Sequence, residues 1–196
     1  MKRPVPIAVF VLLVAAPALA ADNQVRGYFG GTFGGGTTLV DLEHASGKLN
    51  PVIGVTFATL GNVFGFDIDL ADAPGFFQSG DSGLVLSSRV TMLTGNLVIA
   101  APRTKTEYGL RPYLVGGGGL MRARRTDYFA VFPETKMLAA FDVGAGAVGF
   151  FTNRSGVSWE LRRFEGVGAD DTPGTTIGTT GRLSFWRATM AFVYRY

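Results

Sequence analysis

The stretch LSFWRATMAFVYRY at the end of the sequence changes character at every second residue. Trp186, Ala188, Met190, Phe192, Tyr194 and Tyr196 fall on one side of an extended chain, together with Ser184. Phe185, Arg187, Thr189, Ala191, Val193 and Arg195 fall on the other. Successive side chains of a strand point to opposite faces, so such a segment has one apolar, aromatic face and one face that can hold arginines. Aromatic residues stand toward both ends of the apolar face, as the two interfacial girdles of a membrane barrel require.

Seven further segments follow the same rule, bounded by turn residues and of the length that a tilted membrane strand needs. Together the eight run over 25–35, 51–59, 62–71, 84–100, 109–122, 136–151, 156–165 and 182–196. In the third, Phe64, Phe66, Ile68 and Leu70 oppose Gly65, Asp67, Asp69 and Ala71. The sixth has a wholly uncharged face from Met137 through Phe141 and Val143 to Phe151, with Asp142 opposite. In the seventh, Val157, Trp159 and Leu161 oppose Ser158, Glu160 and Arg162, and Arg163 falls late on the apolar side. The first and fifth segments are too rich in glycine for their faces to be assigned. Longer polar connections alternate with shorter ones, the pattern of extracellular loops and periplasmic turns with both ends of the barrel in the periplasm.

The N-terminus reads as a secretory signal peptide: Lys2 and Arg3, the apolar run IAVFVLLVAA, then Ala18-Leu19-Ala20 as a cleavage site. The mature chain is then expected to be one domain over 21–196. Cysteine is absent, so disulfides and thiolate-bound metals are excluded. Loss of the signal removes two of 18 basic residues and none of the 15 acidic ones, which leaves a charge near +1 and no pull toward nucleic acid. A soluble barrel would carry Lys and Glu thickly on its outer face. Here the polar face has one or two charges per strand among small residues, which suits a crowded lumen.

On these segments the chain resembles the small outer-membrane β-barrel proteins of Gram-negative bacteria, the group of the outer membrane protein A barrel domain and outer membrane protein X. The resemblance is carried by the signal peptide, RGYFGGTFGG as first strand, LTGNLVIAAP followed by RPYLVGGGGL, then FDVGAGAVGFF, ELRRFEG and the terminal FVYRY. It implies an all-β, eight-stranded, antiparallel up-and-down transmembrane barrel, porin-like in architecture. It also implies that the last strand, with Trp186, Phe192, Tyr194 and Tyr196, serves as membrane girdle and as the signal read by the barrel-assembly machinery.

Three groups of residues are candidates for function. Asp67, Asp69, Asp142, Glu160, Arg162 and Arg187 are expected to form an ion-pair network in the lumen, with Arg26 and Arg195 near the periplasmic rim, because unpaired charges in so narrow an interior would each cost several kcal/mol. Arg122, Arg124, Arg125 and Arg163 are placed to meet lipopolysaccharide phosphates. His44 and Ser82 are the residues that a lipid A-modifying enzyme would use, but the His-x-Ser pattern of the deacylases is missing, so no catalytic residue is assigned. Asp170 and Asp171 lack the rest of a calcium loop, and neither metal nor cofactor is expected. The reading is a structural or surface-interacting barrel with a plugged polar lumen and no catalysis. Its expected partners are outer-membrane lipid and lipopolysaccharide, the assembly machinery and an extracellular ligand of the loops. A narrow channel for small solutes and a lipid A-modifying enzyme are the alternatives.

Overall fold

The computed structural model describes residues 22–37, 49–76, 85–102, 109–127, 134–168 and 181–196. Eight antiparallel strands follow one another around a closed barrel: β1 (Asp22–Thr37), β2 (Asn50–Leu60), β3 (Phe64–Pro74), β4 (Val85–Ala100), β5 (Leu110–Asp127), β6 (Glu134–Phe150), β7 (Ser155–Gly168) and β8 (Gly181–Arg195). Every strand pairs with its sequence neighbour, and β8 returns to β1 through Gln24 opposite Arg195 and Thr32 opposite Arg187. Closure leaves no free sheet edge, so all ladder groups are paired inside the wall, the condition for a sheet in lipid.

The strand registers fix the tilt. From Arg26 the row of paired residues passes through Thr56, Asp69, Thr94, Gly119, Ala140, Gly166 and Leu183, and re-enters β1 at Thr37. The climb from position 26 to position 37 is eleven residues, including the bulge between Phe33 and Gly36, where Gly34 takes a φ of 58°. Setting that rise, at about 3.3 Å per residue, against eight spacings of about 4.8 Å gives a tilt of roughly 43°. An eleven-residue strand such as β3 then rises about 26 Å, close to the height of the apolar band on membrane barrels.

Outside, the band is continuous. Phe29, Ile53, Phe57, Phe66, Ile68, Leu97, Leu114, Phe141, Val143, Trp159 and Phe192 all point away from the lumen and are exposed. The two glycine-rich strands acquire their faces from closure: even residues of β1 and odd residues of β5 point inward, among them Arg26, Tyr28, Tyr113, Val115 and Met121.

The sequence places strand ends at Arg122 and Lys136, whereas β5 and β6 run on to Asp127 and from Glu134, with Arg124 opposite Thr135 and Arg125 opposite Glu134. Polar, charged residues that read as loop continue the ladder because a neighbouring strand supplies hydrogen bonds to their backbones. The connection is shortened to 128–133, while 101–109, on the side of the short turns, is longer than that.

Candidate functional site

Asp67 and Asp69 project inward from β3, Asp142 from β6, Glu160 and Arg162 from β7, and Arg187 from β8. The barrel brings all six into one belt. Arg162 is its hub. Its Nε donates to Glu160 Oε1 at 2.6 Å and its two terminal nitrogens to Glu160 Oε2 at 2.9 Å, Asp142 Oδ2 at 3.0 Å and Asp67 Oδ2 at 3.0 Å. Arg187 donates to Asp69 Oδ2 at 2.7 Å and to the Tyr28 hydroxyl at 2.9 Å, and another of its nitrogens lies 3.6 Å from Glu160 Oε1. The side chains of Arg162, Arg187, Asp67, Asp69 and Asp142 are wholly buried. Neutral groups complete the belt: Asn96 donates to Asp67 at 2.7 Å and Thr56 to Asp69 at 2.9 Å. Tyr113 links it to Arg26, accepting from that guanidinium at 3.0 Å and donating to Glu160 at 2.9 Å.

Glycines make room for these large inward groups. A Cβ at Gly146 would come within 2.6 Å of the Tyr113 ring and one at Gly144 within 2.7 Å of the Arg162 stem. Alternation of large and small inward residues is how a barrel of this diameter fills its interior.

The ionic belt occupies the middle of the lumen. Toward the long connections, Phe76, Val90, Met92, Met121, Leu138, Phe164, Leu183 and Phe185 form a buried apolar cluster. Phe76 arrives from the turn after β3 and meets Phe185 edge-on at 4.9 Å, and Phe185 stacks on Phe164 at 5.3 Å. The Arg187 guanidinium lies 4.7 Å from the Phe164 ring and joins this layer to the belt. Toward the short turns Leu60, Val98, Val115, Val148 and Val193 form a second apolar layer beside the Asp22, Gln24 and Arg26 row. The ionic belt therefore lies between an apolar cluster toward the long connections and a second one toward the short turns, the latter flanked by the Asp22–Gln24–Arg26 row that reaches Glu160 through Tyr113.

On the outer surface, charge is one-sided. The outward charged side chains of the described strands are Asp72, Arg89, Arg122, Arg124, Arg163, Glu165 and Arg182, and all lie toward the long connections. Arg163 donates to the carbonyl of Gly34 at 3.3 Å and covers the Trp186 ring at 5.6 Å. Arg182 is paired with Glu165. At the opposite end the described outward strand side chains are aromatic or neutral, with Phe64 and Tyr194 exposed beside Phe151 and Tyr196, and Arg154 is exposed in the turn after β6.

No family model matches the sequence, and no curated protein matches it. Solved structures do. The Neisserial surface protein A is similar with a TM-score of 0.60 at 11% identity, over 90% of this chain and 99% of that one. The outer membrane protein OprG of Pseudomonas aeruginosa gives 0.59 at 13%, over 90% and 96%. Outer Membrane Protein W of E. coli gives 0.52 at 16%, over 92% and 100%. The chain has the fold of the small eight-stranded outer-membrane barrels.

In this outer-membrane barrel fold, Trp186, Phe192, Tyr194 and Tyr196 all face outward and are exposed. Arg122 and Arg124 lie on the outer face of β5; Arg125 pairs through its backbone with Ser88 and Glu134, and its side chain lies outside the described residues, as do the signal segment, His44, Asp81, Ser82, Asp170 and Asp171. Arg195 meets Asp22 at 2.5 Å and lies over the Phe150 ring. Arg26 takes the place near the periplasmic rim that the sequence suggests, whereas the parts played by Tyr113 and Arg111 have no signal in the sequence. Tyr113 and Arg26 extend the belt, and Arg111 donates to the carbonyls of Gly61, Asn62 and Ala101, tying two short turns together. Arg89 of β4 stands directly opposite Arg124.

Proposed function

We propose that the protein is an exported barrel of the bacterial outer membrane whose lumen is closed by its own side chains, and that it works through its rim and surface loops, with no catalysis. The observation that carries this reading is the complete burial of Arg162 and Arg187 among four carboxylates, beneath one apolar layer and above another. An ion crossing the lumen would have to part buried pairs, whose separation leaves uncompensated charge at several kcal/mol each. Its membrane partners on this reading are lipid and lipopolysaccharide around the wall, and the assembly machinery at β8 during biogenesis.

The test is single-channel recording of the mature chain refolded in detergent and inserted into a planar bilayer, with insertion scored separately. A silent bilayer is expected. Discrete conductance steps that change with Asp142→Asn would overturn the closed-lumen reading in favour of a narrow channel. The enzyme alternative predicts altered lipid A masses on expression that revert with His44→Ala or Ser82→Ala. Identical masses with and without the protein are expected here.

A further inference from the structure

We propose that the outer face of β4 and β5 is a phosphate clamp for an anionic glycolipid of the outer leaflet, formed by Arg89, Arg122 and Arg124. This inference rests on the membrane-spanning reading above and adds a specific partner and place to it.

Arg89 and Arg124 are direct cross-strand partners, and Arg122 is the next outward residue along β5, opposite Thr91. Like charges directly opposed across a ladder destabilise it. The described acidic side chain beside them is Asp72, 3.4 Å from Arg89, which also accepts from Thr91 at 3.0 Å. Among the described side chains of this seam, three guanidiniums stand against one carboxylate, an excess of two positive charges. The other side of the rim has no such surplus in its pairs: Arg182 has Glu165, and Arg163 is spent on Gly34 and Trp186. Among the described residues the surplus is thus local to one seam.

What the seam would hold follows from its position. Immediately toward the membrane middle lie outward Leu93 and Leu120, with Met137 opposite Arg122, all exposed. An anion held by the arginines with its acyl chains against this wall satisfies both surfaces, whereas free phosphate would leave the apolar part uncovered. A phosphomonoester carries about −1.5 to −2 charges at neutral pH, which matches the surplus. Guanidinium forks bind such groups through paired, charge-assisted hydrogen bonds. The occupant to which this chemistry commits is lipid A, a phosphorylated, acylated disaccharide.

Native mass spectrometry of the refolded mature chain, released from detergent containing lipid A, tests the clamp. The probes are bis-phosphorylated lipid A, the same lipid enzymatically dephosphorylated, and inorganic phosphate as competitor. Wild type should retain the phosphorylated lipid. The Arg122→Gln/Arg124→Gln variant should retain it at least tenfold more weakly, and Arg182→Gln should match wild type. Equal retention by the double variant, equal retention of the dephosphorylated lipid, or displacement by millimolar inorganic phosphate would each overturn the proposal. Folding is scored beforehand by heat-modifiable gel migration and strand-type circular dichroism in lipid vesicles. A chain that fails this check sinks the membrane reading itself, a result distinct from loss of lipid A by a folded variant.

Discussion

Replacement of Arg162 by methionine keeps the length of the side chain and deletes its charge. Four charge-assisted hydrogen bonds vanish at once, to Glu160 twice, Asp142 and Asp67. At about 1.5–3 kcal/mol each the gross loss would be about 6–12 kcal/mol. The net is smaller, because two acceptors retain other donors: Asp67 keeps Asn96, and Glu160 keeps Tyr113 and its approach to Arg187. The balance is the cost of breaking a buried pair from one side, about 3–5 kcal/mol. The measurement is equilibrium unfolding by guanidinium chloride in lipid vesicles, followed by the fluorescence of Trp159 and Trp186, both of which face outward. With a slope of about 4 kcal/mol per molar, the midpoint should fall by about 1 M. Addition of Asp142→Asn should restore part of the loss, since one stranded charge is then removed. A midpoint for Arg162→Met within about 0.25 M of wild type would refute the reasoning, for it would mean that water reaches the belt.

Phe164→Ala removes the stack on Phe185 and the ring under Arg187; it should cost about 3–5 kcal/mol in the same assay. Gly146→Val forces a side chain into the Tyr113 ring and the Trp159 carbonyl, and a loss of about 1–3 kcal/mol is expected in that assay. Leu97→Lys, in the middle of the outward band, should destabilise the folded barrel in bilayers by about 2–4 kcal/mol, while lysine at Thr135 on the rim should cost less than about 1 kcal/mol.

Period-two alternation made most of this architecture legible before any coordinates. It worked wherever large residues marked the two faces, as in β3, β6, β7 and β8. In β1 and β5 glycine occupies both faces, so no pattern survives, and the inward parity of Tyr28 and Tyr113 becomes visible only when the ring is closed. The six belt residues are legible as inward charges of β3, β6, β7 and β8, yet their partners are not, because partnership depends on register and side-chain reach across the lumen. Arg111 illustrates the limit: its sequence position at the start of a strand gives no hint that it gathers carbonyls from two separate turns. Arg89 acquires meaning only from the residue opposite it. The apolar clusters escape the sequence for a different cause. Inward Val, Leu, Met and Phe at strand ends look like interruptions of a polar face when each strand is read alone, and become layers when eight are stacked.

The pairing of β1 with β8 sets a condition on how the molecule comes into being. Gln24 and Arg195 are ladder partners, so the first strand to leave the ribosome stays without its second neighbour until the last has been made. Until β8 is in place, a partly assembled sheet has an open edge and an apolar outer face. Long-range pairing of this kind is slow and exposed to aggregation. The ring can be sealed only as a final event, which makes β8 a latch: a chain truncated before Arg182 would keep seven strands' worth of sequence and have no means of shutting.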